Sequence, residues 1–208
     1  MKSILLTLVL IFPVIAAFAQ TDSTTIYYRG IDNDNIRTIC NLSDIQIEKI
    51  FCKDTLLRGK VFNVIIKEFK KGKIRSVKNL NIDKLIERYK MINITDKVGF
   101  GNSTDSLTLS FAGILKEKIF KLKIDYPGIG FKQELKGQSN YLLRVANSCS
   151  DNKIRIPINT EYPILAYTPP FDTGTGIKSY CMLGEENVLD WFNKFKIKHY
   201  YIIYLEIK

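Results

Sequence analysis

The chain has 208 residues, 46% hydrophobic and 12% aromatic, enough apolar mass for an ordinary core and too much for a globally disordered chain. Its formal net charge is +10, with the densest basic groups at Lys67, Lys70, Lys71, Lys73, Arg75 and Lys78 and at Lys194, Lys196 and Lys198. No nucleic-acid module accompanies that charge, so it reads as a solvated basic face or as attraction for an anionic partner such as an acidic glycan or a lipid headgroup, not as specific nucleic-acid binding.

Residues 1–20 have the three-part pattern of a secretory signal peptide. Lys2 supplies one positive charge, Ile4 to Phe18 is apolar, and Ala17-Phe18-Ala19 places small residues where a signal peptidase reads, with cleavage expected beside Gln20. A transmembrane anchor needs roughly 20 apolar residues; this run is shorter and contains Pro13. The first cysteine is Cys40, so no lipid-anchoring cysteine stands at the cleavage point. No other stretch is long and apolar enough to span, so the mature chain is expected to carry no transmembrane segment. Without Lys2 its charge is 10 − 1 = +9.

Thr24 to Tyr28 reads as a short first strand. Asp32-Asn33-Asp34-Asn35 opens like a calcium loop, but Arg37 and Ser43 occupy the positions that would require Gly and a carboxylate. A turn built from Asx side chains is the better reading. Ser43-Asp44-Ile45-Gln46 has the form of a capping box, predicting a short helix to about Phe51. The alternation of Ile45 and Ile47 keeps a strand open as the alternative.

The four cysteines, Cys40, Cys52, Cys149 and Cys181, form no CxxC pair, so neither a zinc knuckle nor a redox motif is indicated. In an oxidising compartment an even count suits two disulfides, and buried free thiols are the alternative. A helix between Cys40 and Cys52 would be a rod of about 12 Å, and because a disulfide needs Cα atoms within about 7 Å, a bond between them would require the flanking loop to fold back.

Residues 60–80 predict a hairpin. Phe62, Val64 and Ile66 alternate, Lys71-Gly72 is the turn, and the register sets Ile66 opposite Val77 and Glu68 opposite Arg75. Asn81 caps a predicted helix to Lys90, with Ile82, Leu85, Ile86 and Tyr89 on one stripe. The glycine-containing stretch from Asp96 to Asp105 lacks the Gly-Lys-Ser/Thr of a phosphate loop and reads as a connection.

From Ser106 strands predominate. Leu107, Leu109 and Phe111 alternate; so do Phe120, Leu122, Ile124 and Tyr126, then Tyr141, Leu143 and Val145, then Ile154, Ile156 and Ile158. Pro157 assigns the last of these to a sheet edge. Tyr162 to Ser179 reads as a long Pro/Gly loop. Glu185 to Phe195 predicts a helix with Val188, Leu189, Phe192 and Phe195 inward and Trp191 half-exposed. Tyr200 to Ile207 reads as a buried closing strand.

Asp172-Thr173-Gly174 matches the catalytic triplet of the aspartic proteases. It occurs once, follows Pro169-Pro170, and stands only a few residues before Met182-Leu183-Gly184, too close for that fold's intervening strands. A Pro-rich turn explains it better. His199, the single histidine, begins a predicted strand, and no Gly-x-Ser-x-Gly elbow accompanies it. No metal ligand set and no cofactor motif is present.

These patterns predict an α+β fold: an antiparallel, β-dominated domain over residues 21–208 with two or three short helices. A division into an α+β part at 21–100 and a β part at 101–208 is the variant. The expected function is that of an exported non-enzymatic protein, periplasmic or extracellular, binding an envelope protein, a glycan or another anionic partner. Tyr167, Phe171, Asp172 and Tyr180 in the Pro/Gly loop are the expected binding residues. A secreted hydrolase working through carboxylates, Asp172 first among them, is the alternative.

Overall fold

Period-two patterning dominates the chain, and two stacked antiparallel sheets are its outcome. The computed structural model describes residues 22–80, 105–126, 129–146, 152–172, 176, 178–179 and 187–208. The leader, the Asn81–Lys90 stretch, Cys149, Tyr180, Cys181 and most of the Asp96–Asp105 connection lie outside these residues.

The elements are β1 (Ser23–Arg29), α1 (Asp34–Leu42), β2 (Ile45–Lys53), β3 (Phe62–Lys70), β4 (Lys73–Asn79), β5 (Ser106–Lys116), β6 (Ile119–Tyr126), β7 (Ile129–Lys136), β8 (Leu142–Val145), β9 (Lys153–Pro157), β10 (Tyr162–Thr168), β11 (Phe171–Asp172), β12 (Lys178–Ser179), α2 (Trp191–Phe195) and β13 (His199–Ile207). Short 3-10 turns at Thr55–Leu57 and Val188–Asp190 complete them. The first sheet has the order β7-β6-β5-β2-β1-β9 and the second β4-β3-β13-β10-β8. The fold is thus α+β, strand-dominated and antiparallel, with two short helices among the described residues. Both sheets contain strands from before and after residue 100. Among the described residues no helix is long and apolar enough to cross a membrane.

The core between the sheets is built from the alternating positions. Ile26, Ile50, Leu109, Phe111, Phe120, Leu122 and Ile124 come from the first sheet, and Val64, Ile66, Leu165, Tyr167, Ile203 and Leu205 from the second. β9 is the edge strand that Pro157 required. The second sheet also carries a cluster on its outer face, where Phe69, Tyr200, Ile202 and Ala166 meet Val188, Trp191 and Ile197. One-sided wetting therefore describes the first sheet better than the second, whose central strands are buried on both faces.

Several local expectations are corrected. Residues 43–51 are not a helix: Ser43 and Asp44, the latter at φ 52°, stop α1, and β2 starts at Ile45. α1 is itself capped by the Asx turn, the Asn33 side chain accepting from the Ile36 amide at 3.1 Å. Ladder pairing along all nine residues of β2 overrides the local capping signal. The 60–80 hairpin has its turn at Lys71-Gly72 as expected, but its register differs. Ile66 faces Lys78 and Glu68 faces Ser76, because a bulge next to Glu68 and Phe69 leaves Arg75 without an opposite residue.

Residues 162–168 are a strand, not loop. Pro163 sits near the start of β10, beside a register shift that absorbs its missing donor. Only Trp191–Phe195 of the predicted 185–195 helix is α-helical within the described residues, and Trp191 is 0% exposed instead of half-exposed.

Candidate functional site

Polar groups converge where β5 turns into β6, where β7 leads into β8, and where β13 begins. The β5–β6 connection is a two-residue turn, Glu117-Lys118, with φ of 49° and 67°. Such a turn follows the strand twist but favours Asn-Gly, and each side chain held there costs about 1–2 kcal/mol. The Lys118 carbonyl accepts from the Gly137 amide at 2.8 Å, fixing the turn against the end of β7.

Between these segments opens a cleft of about 850 Å³. Leu115 and Ile119 give it an apolar side, and Lys118, Lys136, Gln138 and Ser139 give it polar groups. Glu117 and Gly137 complete the lining.

Behind the cleft stands a layer of phenols. Tyr167 stacks on Phe120 with centroids 4.1 Å apart and meets Tyr141 edge-on at 5.3 Å. The Tyr201 hydroxyl accepts from the Lys136 amide at 3.0 Å. Burial raises the pKa of Tyr141 and Tyr167, and it pushes Tyr201 up to about 12, so all three are neutral phenols at physiological pH.

A polar chain continues from there. The Tyr141 hydroxyl donates to the His199 carbonyl at 3.0 Å and lies 3.2 Å from His199 Nδ1. His199 Nε2 is 3.1 Å from Glu68 Oε1, and the Ser76 hydroxyl donates to Glu68 Oε2 at 2.9 Å. The Arg75 guanidinium, on the bulged residue, stands 3.9 Å from Glu68 Oε1. Burial opposes ionisation of Glu68, but hydrogen bonds from Ser76 and His199 and the charges of His199 and Arg75 outweigh it and hold the carboxyl below its usual range. Tyr141, His199, Glu68 and Ser76 thus satisfy one another. They clamp the ends of β3, β4 and β13 behind the cleft.

A second polar tie joins the sheets nearby. The Gln46 side chain donates to the Tyr141 carbonyl at 3.2 Å and accepts from the Leu143 amide. Glu48, two residues along β2, shares its inward parity. Burial pushes its carboxyl up to about 7, against the opposing charge of Arg144.

Of the sequence-predicted residues, Tyr167 stands in the phenol layer behind the cleft, Phe171 and Asp172 lie away from it, and Tyr180 is outside the described residues. Tyr167 is 0% exposed in β10, and Phe171 is buried in the outer cluster against Phe195, with ring centroids 4.4 Å apart. Asp172 is exposed at the end of β11. Cys40 and Cys52 are buried free thiols. Thr24 donates to Asp54 Oδ2 at 2.8 Å and lies 3.1 Å from Cys52 Sγ, so the Cys52 thiol is left to donate to Thr24. Burial, with the Asp54 charge, pushes that thiol's pKa up. Among the described residues no group of three His, Cys, Asp or Glu side chains is placed to hold a metal ion.

Lys118, Lys136, Gly137, Tyr141 and Glu68 were not singled out as site residues from the sequence. The alternating runs read from sequence end at Phe111 and resume at Phe120, and only the strand pairing narrows that gap to the tight turn Glu117-Lys118. No family model matches the chain, and neither the curated proteins nor the solved structures contain a match to it.

Proposed function

We propose that this chain is an exported, non-enzymatic binding protein of a bacterial periplasm or extracellular space, taking a small anionic ligand into the cleft beside Glu117-Lys118. The carrying observation is that Lys118 and Lys136 line one cleft from two different segments. Two lysines on the lining of one cleft suit a ligand that carries a carboxylate or phosphate group. An apolar side with a few polar groups, at about 850 Å³, has the size and make-up of a small-molecule site. The chain's net charge of +10 favours approach of anions. The signal-like residues 1–20 support export.

The binding test is titration of isotope-labelled protein with glucuronate in one arm and inorganic phosphate in the other. Amide shifts confined to residues 115–119 and 136–139, weakened by salt and lost in the Lys118→Ala, Lys136→Ala double variant, are expected for at least one anion. Shifts scattered over the surface, or none, overturn the reading. For export, native protein beginning near Gln20 is expected, and cytosolic protein beginning at Met1 refutes it.

A further inference from the structure

Three phenols stand together behind the cleft, and two of them are partnered. Tyr141 donates to the His199 carbonyl and Tyr201 accepts from the Lys136 amide. The third, Tyr167, is 0% exposed, and its hydroxyl has no hydrogen-bond partner among the described residues. A buried hydroxyl left unpaired is destabilising, and phenylalanine would fill the same ring site without that cost. Stacking on Phe120 and the edge contact with Tyr141 hold the Tyr167 ring in place, so the hydroxyl cannot turn away to find a partner.

Gly137 lies on both sides of the question. It lines the cleft on one side. On the other it lies against Tyr167 so closely that any side chain at this position would strike the hydroxyl. It is also lightly held, by the hydrogen bond from its amide to the Lys118 carbonyl. Neither it nor residues 138–140 after it belong to a strand.

We infer that the Tyr167 hydroxyl is the donor reserved for an anionic oxygen of the cleft's ligand, and that Gly137 is the movable cover between them. This deepens the cleft reading above and rests on it. Lys118 and Lys136 attract the anion, the Gly137–Lys118 bond opens, and one ligand oxygen accepts from Tyr167. The class selected is a ligand whose carboxylate or phosphate reaches inward past the lysines, not one held only at the mouth.

The test compares wild type with Tyr167→Phe, using glucuronate and inorganic phosphate as probes. The variant is expected to melt at or above the wild-type temperature. Its affinity for the probe that binds wild type is expected to fall about tenfold, the value of one hydrogen bond to a charged acceptor. A variant that binds as tightly as wild type overturns the inference while leaving the cleft reading intact. If neither anion binds wild type, both fall together. Hydrogen exchange gives an independent readout: bound probe is expected to speed exchange at the Gly137 amide, and unchanged or slower exchange there also overturns the proposal.

Discussion

Glu48 and Glu68 are both partly buried carboxylates on inward-facing positions, and their surroundings push them in opposite directions. For Glu48 burial dominates and the carboxyl titrates at about 7, so the folded state holds a proton that the unfolded chain releases from about pH 4.5 upward. Its contribution to stability therefore falls as pH rises through that window. For Glu68 the Ser76 and His199 hydrogen bonds prevail over burial, so its contribution is present above the ordinary carboxylate pKa and is lost as pH falls through the lowered one. The contributions of these two carboxyls are therefore opposed: that of Glu48 falls as pH rises above the ordinary carboxylate range, and that of Glu68 falls below it. Glu48→Gln is expected to remove the neutral-pH penalty, raising stability at pH 8 by about 1–2 kcal/mol and leaving it nearly unchanged at pH 5. Urea titrations at the two pH values check this, and an equal change at both would mean that Glu48 does not titrate in that window. Tyr28, whose own pKa is raised by burial and further by Tyr162 and Glu48, is the phenol coupled to this carboxyl.

The turn Glu117-Lys118 shows the same tension between stability and use at the level of an element. Both residues hold positive φ at a position that suits Asn-Gly. Replacing them by Asn-Gly is expected to stabilise the protein by about 1 kcal/mol or more. The same change removes the Lys118 ammonium from the cleft, so affinity for the anion probe is expected to drop while the melting temperature rises. A variant that gains stability and keeps its affinity would separate the turn from the site. Elements whose patterning is local were legible from sequence. The runs Leu107–Phe111 and Phe120–Tyr126, and the Lys71-Gly72 turn, carry their own signal in two-residue alternation or in a glycine at φ 74°. Elements decided by distant partners were not. The capping box at Ser43 was overridden by the pairing of β2 with β5, and the two prolines after Thr168 concealed a strand whose neighbours are β13 and β8. The hairpin register slipped for a similar reason: a bulged Arg75 has no signature in an alternating pattern but brings its guanidinium to Glu68.

At the scale of the molecule, the candidate site depends on groups that meet only after both sheets are assembled. Glu68 and His199 are 131 positions apart, and Gln46 and Leu143 are 97 apart. The single histidine was visible in the sequence, but its partners were not, because nothing local ties β3 to β13. The Gln46 amide is the clearest such link. It supplies a donor and an acceptor to the Tyr141 carbonyl and the Leu143 amide, so one side chain of β2 stands in for a ladder partner of β8. β8 has only four residues and a single strand neighbour, β10, so much of its anchoring at this end falls to Gln46. Gln46→Ala leaves a part-buried amide and carbonyl unpaired at the sheet-to-sheet seam, at an expected cost of about 1–3 kcal/mol. Because Tyr141 is tied through the same segment to His199, the loss is expected to propagate. Exchange of the Leu143 amide should quicken by more than the global destabilisation accounts for, and the His199 ring resonances should shift although residue 46 does not touch that ring. If Leu143 exchanges only at the rate set by global unfolding and the His199 resonances stay in place, Gln46 is an ordinary surface contact and the two sheets are joined at this end by apolar packing alone.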